Sequence, residues 1–341
     1  FGSSGSDAND TQYKIFTYLN NALNRPNKKK FIARKKAYHG ITLASASMTG
    51  LPANHSLFDV PLPGFHHIDT PHFYREALPG EDEDTFTDRL ANNLRDLILE
   101  EGADTFSAMI AEPLIGAGGV IIPPKNYFQK IQAVLSEFDI ALIDDEVITG
   151  FGRTGNCFGL ETYGMKPSSI TIAKAMTSGY IPLSAVIIPD EIFEPLKNAS
   201  NEVGVFGHGY TYSGHPVACA VAIKTLEIYE RDNIFEKVNQ KSPLFQKRLS
   251  RLSEFDFVGE ARGVGLIGAI ELVQNKITKE NFNPYGLTGK KFAKICQNNG
   301  LIIRAIGDVI AVCPPLIISE QQIDEIFDIL EKSLDELKVH I

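Results

Sequence analysis

No two of the four cysteines, Cys157, Cys219, Cys296 and Cys313, stand close enough to form a CxxC pair. That spacing argues against a disulfide framework or a zinc site and for free thiols in a reducing compartment. No apolar run approaches the length a bilayer-spanning helix needs. Positive charge is in deficit: 33 Lys and Arg against 42 Asp and Glu give a net charge of -9. Such a surface repels nucleic acid and anionic membranes, so neither is an expected partner, and anionic ligands must be held by local features. The histidines His39, His208 and His215 lack ligand spacing with a second His or Cys, so no metal is expected. No initiator Met and no signal peptide open the chain, which begins Phe1-Gly2-Ser3-Ser4-Gly5-Ser6. It reads as a piece of a longer polypeptide, and the expected location is cytoplasmic, with a mitochondrial address left open by the missing start.

What is present fits an enzyme-sized globular protein. The chain has 341 residues, 43% of them apolar and 22% charged, which suggests two domains. The apolar spacing is helical from Asp7 to about Leu23, with Ala8, Tyr13, Ile15, Phe16, Leu19 and Leu23 available for a buried stripe. Lys30 to Ala33 reads as a short strand, residues 54–80 as a surface loop, and Glu83 to Glu101 as a helix ended by Gly102. Strand and helix then alternate: Ser107–Ala111, the helix Tyr127–Phe138, Ile140–Ile143, and the strands Ile170–Ala173 and Ser184–Ile188. Alternation of this kind argues for a mainly parallel sheet with helices on its faces. The link from Lys174 to Leu183 is too short for a parallel crossover, so its two strands should be antiparallel and the sheet mixed. A long helical stretch from Ala218 to about Ser253 leads to strands near Val264–Leu272, Leu301–Arg304 and Val309–Cys313, and a helix from Glu320 to Leu337 closes the chain. The expectation is an α/β large domain over 1–220 and a smaller α+β domain over 221–341.

Three features carry possible chemistry. Ser3-Ser4-Gly5-Ser6-Asp7 is a Gly/Ser loop entering a helix, where backbone N–H groups and the helix dipole make a phosphate site; an ordinary Ser N-cap is the plain alternative. Asp144-Asp145-Glu146 stands at the carboxyl end of an apolar strand, where open α/β sheets place ligands. Side chains alternate on a strand, so one of the three should face the crevice and its neighbours should not. Lys174 follows the apolar strand Ile170–Ala173, and a desolvated lysine has a lowered pKa and attacks aldehydes; a snorkelling lysine is the alternative. An amine for a Schiff base, a carboxylate for a pyridine nitrogen and a phosphate anchor are together what pyridoxal 5′-phosphate (PLP) chemistry needs. The same lysine can then move the Cα proton as general base.

The motifs make the match specific. Gly5-Ser6-Asp7-Ala8-Asn9, Tyr38-His39-Gly40, Ala111-Glu112-Pro113, the run from Asp145 to Arg153, the run from Ala173 to Gly179 and the run from His208 to Pro216 resemble class III aminotransferases, in order and spacing over essentially the whole chain. The likeness is nearest to pyruvate-using ω-aminotransferases, including plant-type 4-aminobutyrate transaminases. It implies PLP-dependent transferase fold type I and a homodimer with shared active sites. It also implies that Lys174 forms the Schiff base, Asp145 pairs with the pyridine nitrogen, and Gly5 and Ser6 hold the phosphate. Tyr38 is expected on one face of the ring and Val147 on the other, Glu112 near the ring, and Thr211 at the phosphate of the partner subunit. Arg304 resembles the mobile arginine that grips a substrate carboxylate, with an ion pair to Asp308 as the structural alternative. The implied reaction moves an amino group from an amine or ω-amino acid to an oxo acid, pyruvate by preference, with ping-pong kinetics. Departures are Asp144, where the family has a small apolar residue, Asp7 in place of Glu, and a missing N-terminal portion that supplies aromatic pocket residues.

Other readings compete. Gly263-Val264-Gly265-Leu266-Ile267-Gly268 satisfies GxGxxG, but a nicotinamide site needs a helix after it, and Ala269-Ile270-Glu271-Leu272 alternates like a strand. A non-transaminating PLP enzyme on the same scaffold, such as an aminomutase or decarboxylase, is a second alternative. A truncated, inactive homologue is the third.

Overall fold

Strand β3 (Phe106–Ala111) is buried along its whole length, as a strand covered by helices on both faces must be. It lies inside a six-stranded sheet of order β2-β1-β3-β4-β5-β6. Its neighbours are β1 (Lys30–Arg34), β2 (Phe65–Ile68), β4 (Ala141–Asp145), β5 (Ser169–Ile172) and β6 (Ala185–Ile187). All pairs run parallel except β5 with β6, where Ile170 faces Ile187 in an antiparallel register. The short link forces that reversal, so the sheet is mixed as its connections require. The computed structural model describes residues 1–339.

Helix α1 (Gly5–Ala22) covers one face of this sheet, the front. Ser4 caps it, its Oγ accepting from the Asp7 N–H at 3.2 Å, and Asp7 adds a negative charge to the first turn, where the helix dipole favours it. Ile15, Phe16 and Leu19 pack on Phe31, Ala33, Ala108, Ile110 and Ile143. Leu23, expected in that stripe, is the C-cap and is exposed, because the helix has already ended. The back face is covered by the helices Glu83–Glu101 and Tyr127–Glu137. Phe86, Leu90, Leu94, Phe128 and Ile131 meet Ile32, Met109 and Leu142 there. Each such side chain contributes about 1.5–3 kcal/mol on burial.

The chain forms two compact units, the first made of Phe1–Pro113, Pro123–Phe151 and Phe158–Asp232, the second of Leu114–Ile122, Gly152–Cys157 and the chain from Asn233 onward. The second unit holds an antiparallel sheet of order β7-β8-β10-β9, from β7 (Val258–Val264), β8 (Ile267–Leu272), β9 (Arg304–Ile306) and β10 (Val309–Val312). Its helices Ile234–Arg251, Leu287–Asn298 and Glu320–Lys338 contribute Val238, Phe245, Phe292 and Phe327 to one core. Three expectations need correction here. The strand anticipated at Val264–Leu272 is the second half of a hairpin, turning at Gly265 with φ +56°. The strand placed at Leu301–Arg304 starts at Arg304. The helical stretch from Ala218 to Ser253 is two helices, broken where Asn233 takes φ +49°. The glycines of the GxGxxG match lie on that hairpin, with no helix after them. That removes the dinucleotide reading.

Candidate active site

A cavity of about 440 Å³ opens at the carboxyl ends of β3, β4 and β5, lined by Gly5, Ser6, Asn9, Tyr38, His39, Gly40, Glu112, Asp145, Val147 and Lys174 among others. Parallel strands end in loops on one edge, and that edge is where such sheets collect ligand-binding groups. Seven of the residues singled out from the sequence meet here: Gly5, Ser6, Tyr38, Glu112, Asp145, Val147 and Lys174. Two do not. Thr211 lies on an exposed turn outside the cavity lining. Arg304 starts β9 in the second unit with its side chain exposed. Its suggested partner, Asp308, is buried and engaged elsewhere, accepting from the N–H groups of Gly286 at 2.9 Å and Gly289 at 2.7 Å.

The acidic triplet divides as strand alternation requires. Asp145 faces the cavity, and its carboxylate is fixed from three sides. Oδ2 accepts from Asn9 Nδ2 and from His39 Nδ1, both at 2.8 Å, and Oδ1 accepts from the Val147 N–H at 3.1 Å. Asn9 also donates to the His39 carbonyl at 2.7 Å, and the His39 N–H donates to Thr49 Oγ1 at 2.9 Å. An acceptor held by three donors cannot rotate away from what it faces. Asp144 points to the back face, fully buried, with no donor to either oxygen among the described residues. Burial pushes its carboxyl well above the usual carboxylate range, and the neighbouring Glu146 adds to the shift. Burial raises Glu146 as well, although Thr149, Gly159 and Leu160 donate to it.

Neither His39 nor Asn9 carries a role in the sequence reading, where His39 figures only as a histidine without metal-ligand spacing. The signal for Asn9 was available: with Gln12 and Asn20 it puts polar groups on the inner face of an amphipathic helix. All three are buried and bonded to the sheet. Gln12 Nε2 donates to Thr171 Oγ1 at 3.1 Å and Asn20 Nδ2 to Ser107 Oγ at 2.8 Å. Nothing in the sequence marked His39 beyond its place after Tyr38.

Lys174 follows β5, as expected, and opens a 3-10 turn, Lys174–Thr177, with φ +41°. An L-residue held there carries about 1–3 kcal/mol of strain that the surroundings must offset. Tyr229 Oη donates to the Ala175 carbonyl at 2.7 Å, and Thr177 Oγ1 donates to the Ile181 carbonyl at 2.7 Å, which pins the turn. At the opposite wall the start of α1 meets Gly40. A Cβ there would lie 2.5 Å from Ser6 Oγ, and the φ of +134° belongs to glycine. The cradle therefore brings the first N–H groups of an 18-residue helix to one edge of the cavity, an arrangement suited to a phosphate. A lysine, a fixed carboxylate and a phosphate cradle around one space are the donor set that PLP requires. The residues fit that group.

Comparison with known proteins agrees with this arrangement. The family model "Aminotransferase class-III" matches residues 1–334. "Gamma aminobutyrate transaminase 1, mitochondrial" of Solanum lycopersicum is 51% identical over 341 residues, covering 100% of this chain and 66% of that protein. A probable gamma-aminobutyrate transaminase 3, mitochondrial, of Oryza sativa subsp. indica is 52% identical over 338 residues, 99% of this chain and 66% of its own length. The chain thus spans about two thirds of the curated relatives it matches. Among solved structures, an omega transaminase from Pseudomonas jessenii in complex with PMP superposes with a TM-score of 0.98 at 48% identity, covering 100% of this chain and 75% of that one. A structure described as a transaminase with L-ala gives a TM-score of 0.98 at 48% identity over 99% of this chain and 80% of its own.

Proposed function

Since the chain belongs to the class III aminotransferase family, we propose that it is the larger part of a PLP-dependent transaminase, acting between an amine or ω-amino acid and an oxo acid, with pyruvate as the acceptor. The observation that carries this reading is the convergence of Lys174, the thrice-held Asp145 and the start of α1 on one cavity. Bound there, PLP would supply the electron sink that the reaction needs. Lys174 would hold the cofactor through its amine and, once released, would move a proton as general base. Asp145 would keep a proton on the pyridine nitrogen, and Asn9 and His39 keep Asp145 aimed. Gly5 and Ser6 would hold the phosphate through backbone N–H groups, and Tyr38, Val147 and Glu112 would hold the ring.

Two assignments reach beyond the first unit. Arg304, exposed and without the ion pair to Asp308 that was its alternative, binds the carboxylate of the oxo acid or amino acid through its planar fork. Thr211, on an exposed turn, serves the phosphate of a second copy in a homodimer. The names of the tomato and rice relatives read gamma-aminobutyrate transaminase, and those of the structural relatives read transaminase with L-ala and with PMP. Those words support 4-aminobutyrate as donor and the alanine–pyruvate pair as acceptor couple. The same curated names carry mitochondrial addresses, which favours an organelle over the cytoplasmic expectation. No helix among the described residues is long and apolar enough to cross a membrane.

The purified protein is expected to turn yellow with PLP, to retain the cofactor after borohydride, and to lose both properties as Lys174→Ala. A donor and acceptor screen then reads the reaction. Decarboxylation without an oxo acid would point to a different PLP enzyme, and a wild type that takes up no PLP would end the assignment. Sedimentation of the loaded protein tests the dimer.

A further inference from the structure

On that reading of the cavity, the geometry points to Arg34 as a positioning residue that holds Glu112 at the cofactor site from the far face of the sheet. β3 ends at Ala111, and Glu112 follows it toward the cavity. Arg34, the last residue of β1 and fully buried, reaches it from behind: its Nη2 donates to the Glu112 carbonyl oxygen at 2.5 Å. The rest of the guanidinium packs 5.7 Å from the centre of the Phe128 ring, and its Nε and Nη1 meet no acceptor among the described residues. The Glu112 carbonyl is thus an acceptor for a buried cation that also lies near the Tyr127 hydroxyl and the Asp144 carboxyl.

The same short stretch of chain grips Glu112 a second time. The N–H of Tyr38 donates to Glu112 Oε1 at 3.0 Å on the cavity side. Between the two contacts the chain turns tightly, with the Ala37 N–H on the Arg34 carbonyl at 3.2 Å and Lys36 at φ +65°. Gly50 braces the turn, its carbonyl accepting from Lys36 and its N–H donating to Ala37, both at 2.8 Å. Main chain and side chain of Glu112 are therefore both tied to residues 34–38, one from each face. Because Gly50 braces the turn that carries Tyr38, loosening the rear contact frees Glu112 and leaves Tyr38 in place. A guanidinium reaches the carbonyl with a rigid planar fork; the shorter, rotatable ammonium of lysine does not reproduce it.

The test is a double-mutant comparison on the purified protein with PLP as the probe. Arg34→Lys should weaken PLP binding by roughly 5- to 10-fold, the size expected for one charge-assisted hydrogen bond felt through another residue. It should also shift the pH midpoint of the visible cofactor band. In a Glu112→Ala background, Arg34→Lys should change PLP affinity by less than about twofold, while its effect on the thermal midpoint of the cofactor-free protein persists. That split would show action through Glu112. An equal affinity loss in both backgrounds, or none in either, overturns the inference. Should Arg34→Lys not fold, Arg34→Gln, which keeps an N–H donor without the charge, goes through the same comparison. A wild type that binds no PLP would instead defeat the assignment of the site, before Arg34 is changed.

Discussion

Two faces of one sheet treat the same residue type in opposite ways. On the front, Asp145 accepts from Asn9, His39 and Val147 and borders the cavity. On the back, one residue away, Asp144 is fully buried beside Glu146, with no donor to either oxygen among the described residues. The front helix meets the sheet through Asn9, Gln12 and Asn20 as well as Ile15, Phe16 and Leu19; the back helices meet it through Phe86, Leu90, Leu94 and Phe128. Polar groups at the strand ends become useful where a neighbouring helix supplies donors. Where it does not, a carboxyl is kept neutral, because desolvating its charge costs more than giving up ionisation.

Substitutions on each face put this contrast to the test. The largest effect belongs to Lys174→Ala on the front: turnover should fall by at least ~10²–10⁴-fold, the share of general acid–base transfer alone, with the fold intact by circular dichroism. Next, on the back, Leu94→Ala should cost about 2–5 kcal/mol by denaturant unfolding, since Leu94 is fully buried, while turnover per folded, PLP-loaded molecule stays near wild type. If turnover falls in step with stability, the two faces are not separable in this way.

Asp145→Asn and Asp144→Asn make the sharpest pair. The first should depress turnover by about 10²-fold while unfolding barely changes. The second replaces one neutral buried group by another and should leave turnover within about twofold. Its sign with pH follows from the raised Asp144 carboxyl. A folded-state pKa above the unfolded one means the native state binds the extra proton, so wild-type stability falls as pH climbs past about 4, the ordinary aspartate value. The Asn variant lacks that loss. Thermal midpoints of cofactor-free protein should therefore favour Asp144→Asn increasingly with rising pH, and parallel curves would refute a neutral Asp144. The smallest change is Ser4→Ala, expected to cost about 1 kcal/mol through the lost cap on α1, with a modest rise in the PLP dissociation constant.

Much of the site could be read from residue order. The loop into α1, the acids at the end of β4 and the lysine after β5 each sit where a parallel sheet gathers its ends, and the antiparallel β5–β6 pair followed from a link too short to cross over. Less visible were the partners. His39 is 106 residues from Asp145, and no local pattern announces a contact at that distance. The apolar run ahead of Lys174 gives no warning that the backbone turns to φ +41° there. The helix break at Asn233 and the hairpin at Gly265 were hidden inside longer periodic stretches for a similar reason: one left-handed residue ends an element without disturbing the hydrophobic pattern.

Amino-acid order alone determined the sheet class, the helix faces and the set of groups able to handle PLP, because periodicity and chemistry are local properties of a chain. Which of three adjacent acids faces the cavity, which donors lock it, and that a guanidinium behind the sheet reaches the Glu112 carbonyl were decided only by the fold. Those are contacts between segments far apart in sequence, and they come into being when strands take their register and the helices close over them.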